Sequence, residues 1–291
     1  MKKKLQVSFS GGETSAFMAQ WLLKHKKDEF DMVFVFANTG EENEETLEFV
    51  DKCDKYFNLN LNWVECVVHN ENRVGTTHKV VNFENASRHG EPFENVIKKY
   101  GIPNQAFPHC TRELKLAPLT SFTKSYFGSR DYYTAIGIRS DEVDRMNESY
   151  KKNKIIYPLI FKDYIPMTKP KINIFWNNQP FRLNLKGYQG NCKTCWKKSD
   201  KKLYKIAQEN PEYFDFNKRM ELKYGRTGSN FKKDLASDNR VFFRKKRSAI
   251  DIINESKTFH GFVKDDSNFY ENQLDLFNNE SCDIYSNCGD K

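Results

Sequence analysis

The first twenty-three residues constrain this chain more than any other stretch. A short apolar run, Leu5 to Val7, breaks into Ser8-Phe9-Ser10-Gly11-Gly12-Glu13-Thr14-Ser15 and resumes as an apolar-periodic segment, Ala16-Phe17-Met18 through Trp21-Leu22-Leu23. That pattern reads as a strand, a turn of small residues and the start of a helix. Two glycines let backbone approach an anion with no Cβ in the way, and the first turn of the helix offers unpaired N–H groups at the positive end of its dipole. A phosphate site is therefore expected at this turn. Taken in isolation, the turn is also satisfied by Ser10 or Thr14 acting as an ordinary N-cap. No Lys-Ser or Lys-Thr follows the glycines, so the loop is not of the Walker type.

Further along, strands and helices alternate. Leu5–Ser8 reads as a strand, Ser15–Lys24 as a helix, Met32–Phe36 as a strand, Glu44–Tyr56 as a helix and Asn62–Val67 as a strand. Alternation of this kind predicts an α/β fold, a parallel twisted sheet with helices on both faces and right-handed crossovers, with ligands at the carboxyl ends of the strands. Asn70–Gln105 is polar and irregular apart from a short helix near Phe93–Tyr100, and is expected to pass over the nucleotide site. Pro118–Tyr126 reads as a helix and Tyr132–Ile138 as a strand. Beyond Ser140 come an extended piece (Ile155–Phe161) and helices at Lys171–Asn177, Asp200–Gln208 and Tyr213–Tyr224, with Pro211 as a start signal. From Gly225 only Phe242 and Ala249–Ile253 look ordered. The expected division is a nucleotide-binding domain over 1–150, a smaller helical, partly irregular region over 151–225 and a basic, loosely structured tail over 226–291.

A chain of 291 residues can bury a full core, and 24 Phe with 14 Tyr is too aromatic for disorder. The net charge of +8 is unevenly placed. Asp28–Asp54 is acidic, while Lys193–Lys205 and Arg240–Arg247 are basic. The tract Arg244-Lys245-Lys246-Arg247 suits a polyanion, although such tracts are often only a solvated face. No apolar run is long enough to span a membrane, and the amino terminus has neither the apolar region nor the cleavage site of a signal peptide, so a cytoplasmic protein is expected. Seven cysteines is an odd number, and the spacing of Cys192 and Cys195 is that of metal or redox ligands.

Four further segments carry chemistry. Thr39-Gly40-Glu41-Glu42-Asn43-Glu44-Glu45-Thr46 follows the second strand and reads as a glycine turn into an acidic helix start, which the dipole alone would favour. Pro108-His109-Cys110-Thr111-Arg112-Glu113-Leu114-Lys115 supplies a thiol, and Gly190-Asn191-Cys192-Lys193-Thr194-Cys195-Trp196-Lys197-Lys198 is a C-x2-C knuckle giving two soft ligands from one turn. A metal centre needs at least one more thiolate, for which Cys110 is the best candidate. Gly137-Ile138-Arg139-Ser140-Asp141-Glu142-Val143-Asp144-Arg145 leaves a predicted strand with two arginines, whose planar forks suit oxyanions. The aromatics of Phe175–Phe181 read more readily as core than as a site.

Taken together, and in this order, these segments resemble the phosphoadenosine phosphosulfate reductase-like branch of the PP-loop ATP pyrophosphatases, the adenine nucleotide alpha hydrolase-like superfamily, whose fold is Rossmann-like. The first loop is similar to its Ser-Gly-Gly-x-x-Ser pyrophosphate loop, Thr39–Thr46 to its Thr-Gly-x4-Glu-Thr segment, and Gly137–Arg145 to its Gly-x-Arg-x-x-Glu-x-x-Arg segment. Phe175–Phe181, running into the knuckle, is similar to a bacterial and phage subgroup. The likeness covers about Ser8 to Lys198. Two departures stand out: Thr14 occupies the position where the family often has Asp, so a role of that Asp around Mg2+ is not carried over, and His109 replaces the first Cys of a Cys-Cys pair.

The resemblance implies that Ser8, Ser10, Gly11, Gly12, Thr14, Ser15, Thr39, Gly40 and Gly137 surround an adenine nucleotide, ATP with Mg2+, with Glu45 ordering the loop. Arg139, Lys115 and Arg145, joined by Glu142, would face the phosphates or the transferred group. Cys110, Cys192 and Cys195, with His109 as a fourth ligand or one iron left open, would hold a 4Fe-4S cluster; a structural Zn2+ site and metal-free thiols are the alternatives. The expected function is cleavage of ATP between the alpha and beta phosphates with adenylation of a substrate, coupled to sulfur transfer onto a nucleic acid bound by the basic second half, with a thiol reductant or sulfur-donor protein as partner. The alternatives are a sulfonucleotide reductase using Cys288 in the terminal Cys-Gly, and a non-enzymatic nucleotide-sensing or nucleic-acid-binding module. Cys282 has no assigned role.

Overall fold

Alternate residues of the second strand face opposite ways into two different apolar layers, and this sets the architecture. In β2 (Phe30–Ala37), Phe30, Phe34 and Phe36 join one buried cluster while Val33, Val35 and Ala37 join another. A strand buried on both faces needs helices on both faces. The computed structural model describes residues 2–71, 74–228 and 239–267 and shows this arrangement. The sheet has six strands in the order β4-β3-β2-β1-β5-β6, comprising β1 (Lys3–Phe9), β2, β3 (Asn62–Val67), β4 (Thr77–Val81), β5 (Tyr133–Ala135) and β6 (Ile155–Ile156). Every pairing is parallel except β3 with β4.

One face is covered by α1 (Glu13–Lys26), α2 (Glu44–Phe57) and α5 (Lys169–Asn177), the other by α4 (Ala117–Phe127). Trp176 of α5 is fully buried against Phe49 and Phe57 of α2, and its indole N–H donates to the carbonyl of Glu13 at 2.9 Å. The core reading of Phe175–Phe181 thus holds, and the same ring props the first residue of α1. Because β1 is central, with β2 and β3 on one side and β5 on the other, the chain reverses direction of travel across the sheet beside the carboxyl end of β1. That is the crevice where an open α/β sheet binds ligands.

A second core lies beyond that crevice. It joins α3 (Glu91–Tyr100), α6 (Asp200–Glu209), α7 (Asp215–Tyr224) and α8 (Ala249–Ser256), with Leu114, Trp196, Phe242 and Phe243 buried among them. The two cores exchange segments across the expected boundary at residue 150: α3 comes from before it and packs in the second core, whereas Trp176 comes from after it and packs in the first. Three sequence expectations need correction. Asn70–Gln105 contains an edge strand, β4, whose half-exposed residues alternate too weakly to show as a pattern, and none of the described residues of that stretch lines the main cleft. The Tyr132–Ile138 strand is only three residues long. Of the basic tract, Arg247 is buried and bonded to Asp200, Glu255 and Tyr204, so it fastens α6 to α8, and Arg244 donates to the carbonyl of Lys197, so both serve internal contacts rather than present themselves to a polyanion. No helix among the described residues is long and apolar enough to cross a membrane.

Glu221 of α7 fastens the stretch after residue 238 by accepting the backbone N–H groups of Phe242 and Ala249, at 3.1 and 2.9 Å. Burial raises its pKa from 4.5 to about 7 in spite of those two bonds. The folded state therefore holds this proton more tightly than the unfolded chain, and the associated stability is present below pH 4.5 and lost as pH rises through about 7. Glu221→Gln should flatten that part of the pH dependence, which denaturant melts of the two proteins between pH 5 and 8 would measure.

Candidate functional site: a phosphate cleft joined to a thiol cavity

The turn leaving β1 is built around the hydroxyl of Ser15. It accepts the backbone N–H of Ser10 at 3.0 Å and the Ser10 hydroxyl at 3.0 Å, and donates to the carbonyl of Gly12 at 2.9 Å. The helix cap is Gly12, with no side-chain cap, so neither Ser10 nor Thr14 is the N-cap that an isolated turn would allow. Gly11 sits at φ +85°, and a Cβ there would come within 2.7 Å of Thr46 Cγ2 on α2. Only glycine fits that position without strain. Ser15 is buried and holds the turn from behind, and Ser8 is buried within β1; neither lines the cleft in front.

That cleft has a volume of about 200 Å3 and is lined by Ser10, Gly11, Gly12, Thr14 and Thr46 on one side. Gly137, Arg139 and Arg145 arrive from the end of β5 and Lys115 from the π-turn Arg112–Leu116. Arg139 is held by Asp141 at 3.0 Å and Glu142 at 3.2 Å and reaches Thr14 Oγ1 at 3.4 Å, while Arg145 lies 2.5 Å from Glu142. Glu142 thus clamps both guanidinium groups at the rim. The rest of the lining includes Lys198 and Lys202, from the basic Lys193–Lys205 stretch, and four residues that the sequence pattern did not single out: Lys169, Lys186 and, from late in the chain, Asp266 and Ser267. Seven cations (Lys115, Arg139, Arg145, Lys169, Lys186, Lys198, Lys202) face four carboxylates (Glu13, Glu42, Glu142, Asp266), and the surplus favours an anion.

A second cavity of about 40 Å3 lies next to the first, and Lys115 and Asn191 line both. Cys110, Cys192 and Cys195 all line it, with Thr39, Glu41 and Trp196, so the thiol named beside the knuckle borders the same cavity as the knuckle itself. The knuckle is zipped to the Thr39–Glu42 turn: Lys193 N–H donates to the carbonyl of Glu41 at 2.9 Å, and Thr39 Oγ1 lies 3.6 Å from Cys192 Sγ. Burial, reinforced by the Glu42 carboxylate and opposed by Lys115, pushes the Cys192 thiol up to about 12; burial also raises Glu41 to about 8.

Other expected residues are placed differently. His109 does not line the thiol cavity; its Nε2–H donates to the carbonyl of Gly101 at 3.1 Å, and burial holds its pKa below the ordinary range. Thr39 borders the thiol cavity rather than the cationic cleft, and Gly40 lines neither, since it packs against Gly90. Glu42, not Glu45, orders this turn, accepting the Thr39 N–H at 2.9 Å and its hydroxyl at 2.8 Å. Cys282 and Cys288 lie outside the described residues.

Among the described residues no group of three or more His, Cys, Asp or Glu side chains is arranged to hold a single metal ion. The donor set is of another kind: three soft thiols on one cavity, beside a buried indole N–H, that of Trp196, with no hydrogen-bond partner. Soft thiolates of this kind suit iron–sulfur and zinc centres alike.

The family model described as the phosphoadenosine phosphosulfate reductase domain matches residues 4–156. A nin region protein of Escherichia phage lambda is 34% identical over 203 residues, 68% of this chain and 67% of its own length. Two proteins of Methanocaldococcus jannaschii are 29% and 28% identical over 52% and 53% of the chain, which spans only 26% and 28% of their length.

The turn geometry separates its two glycines. Gly11→Ala should destabilise the protein by about 1–3 kcal/mol through strain at positive φ and displacement of Thr46. Gly12→Ala, whose Cβ would meet nothing nearer than Ser10 Oγ at 3.9 Å, should cost under about 1 kcal/mol. Denaturant titration of the two variants measures the difference.

Proposed function

The chain belongs to the phosphoadenosine phosphosulfate reductase domain family, and from that premise we propose that it binds ATP in the cleft and cleaves it between the alpha and beta phosphates, adenylating an acceptor. The observation that carries this reading is the single cleft in which the Ser10–Thr14 turn, the start of α1 and the cations Lys115, Arg139 and Arg145 converge. The backbone N–H groups at the start of α1 would bind the pyrophosphate end, where the helix dipole favours negative charge. An acceptor oxygen attacks the alpha phosphorus, forming a new P–O bond as the bond to the bridging oxygen breaks and pyrophosphate leaves with that electron pair. Arg139 and Lys115 offset the charge that builds on the alpha phosphate. When bound, Mg2+ would neutralise charge on the beta and gamma oxygens.

Cys110, Cys192 and Cys195 would hold a 4Fe-4S cluster, which would supply a site for sulfur. Because Lys115 and Asn191 belong to both cavities, an activated acceptor at the alpha phosphate would lie next to that centre. The lysine wall formed by Lys169, Lys186 and Lys202 suits an acceptor that carries phosphates, and a nucleic acid is the acceptor we favour.

The test is pyrophosphate release from ATP by anaerobically purified protein, with and without nucleic acid. Lys115→Ala should lower the rate by about 100-fold or more, the loss of one charged donor at the reacting phosphate. Cys288→Ser should leave the rate unchanged. Loss of turnover in Cys288→Ser, with phosphoadenosine phosphosulfate consumed instead of ATP, would establish the reductase reading in its place.

A further inference from the structure

The segment Asp265–Ser267 reaches the phosphate cleft from the far end of the described chain and is fastened there at several points. Gly187 N–H donates to Asp265 Oδ1 at 2.8 Å, Asn173 Nδ2 to the carbonyl of Asp266 at 3.2 Å and Arg182 Nη2 to the carbonyl of Ser267 at 2.7 Å. The same Arg182 guanidinium grips the carboxylate of Glu13, the first residue of α1, at 2.9 and 3.1 Å. One side chain therefore ties this segment to the anion-binding turn. Both Asp266 and Ser267 line the cleft.

Four carboxylates line that cleft, and three are engaged at short range. Glu13 is taken by Arg182, Glu42 by the Thr39 turn, and Glu142 by Arg139 and Arg145. Asp266 has instead a 4.0 Å contact with Lys169. Its carboxylate rests against Gly187, where a Cβ would run into it. A carboxylate facing a phosphate-binding cleft repels a bare triphosphate, and a hard divalent cation shared between the two turns that repulsion into attraction. Besides its amides, the phosphate turn itself contributes the hydroxyls of Ser10 and Thr14 and the carboxylate of Glu13, which Arg182 already holds.

Resting on the ATP reading above, we propose that Asp266 is a ligand for the divalent cation that accompanies the triphosphate, so that the segment after α8 completes the nucleotide site. Gly187 makes room for that carboxylate, and Arg182 sets its distance from the turn.

Calorimetric titration of the full chain with ATP, in Mg2+ and in EDTA, tests this. The wild type should bind ATP at least about tenfold more tightly with Mg2+ than without, the size of one charge-assisted ligand bond. In Asp266→Asn the ratio should fall to within about threefold, with affinity in EDTA unchanged or higher. Gly187→Ala should reduce the ratio in the same way while leaving the carboxylate in the chain, which keeps the test decisive if Asp266→Asn fails to fold. An unchanged ratio in whichever of these variants folds would overturn the proposal, including the case in which both affinities rise together because Asp266 merely competes with phosphate. Absence of ATP binding by the wild type in both conditions would instead bring down the nucleotide reading itself.

Discussion

Three hydrogen bonds made by one hydroxyl, that of Ser15, hold the turn on which the site depends. They fold Ser10 and Gly12 back onto the first turn of α1, and Ser10, Gly11, Gly12 and Thr14 of this turn line the cleft. The turn can pass this close to α2 only because Gly11 has no side chain to meet Thr46. From behind, the indole of Trp176 holds the carbonyl of Glu13, and Arg182 holds its carboxylate. Sheet, second helix and late-chain segments thus converge on six residues of backbone, and the cations of the cleft are arranged around that fixed point.

The same economy appears in the join between the cavities. The Thr39–Glu42 turn contributes Glu42 to the cleft and Thr39 to the thiol cavity, and the knuckle around Cys192 is bonded to its backbone. Lys115 stands in the shared wall, close enough to the Cys192 thiol to oppose the rise in its pKa that burial causes. A phosphate drawn to Lys115 and a thiol influenced by it are neighbours, which gives the two halves of the proposed chemistry a common residue.

How much of this the sequence disclosed follows from the range of the interactions involved. The β1 turn, the alternation through β3 and the helices α4 to α7 rest on local pattern, and they stand where pattern places them to within a few residues. Cys110 was named beside Cys192 and Cys195 because a two-thiol knuckle is incomplete chemistry, and all three line one cavity. What was not legible depends on distant partners. The edge strand β4 is identified by its pairing with β3 rather than by its own composition. Glu42 took the role expected of Glu45 because the turn closes over three residues and places Glu42 beneath Thr39. The lysine wall and Asp266 belong to segments whose arrival at the cleft is set by the second core and by Arg182, and no spacing along the chain announces them.

The claim beneath all of this is that the Ser10–Ser15 turn holds the phosphates of an adenine nucleotide. A crystal structure of the protein with an ATP analogue carrying a methylene bridge between the alpha and beta phosphates tests it most directly, since such an analogue resists the proposed cleavage. The account predicts density for the phosphate tail against the amides of Gly11, Gly12 and the first turn of α1, with the alpha phosphate toward Arg139 and Lys115. An analogue bound elsewhere, with that turn facing solvent alone, would contradict it.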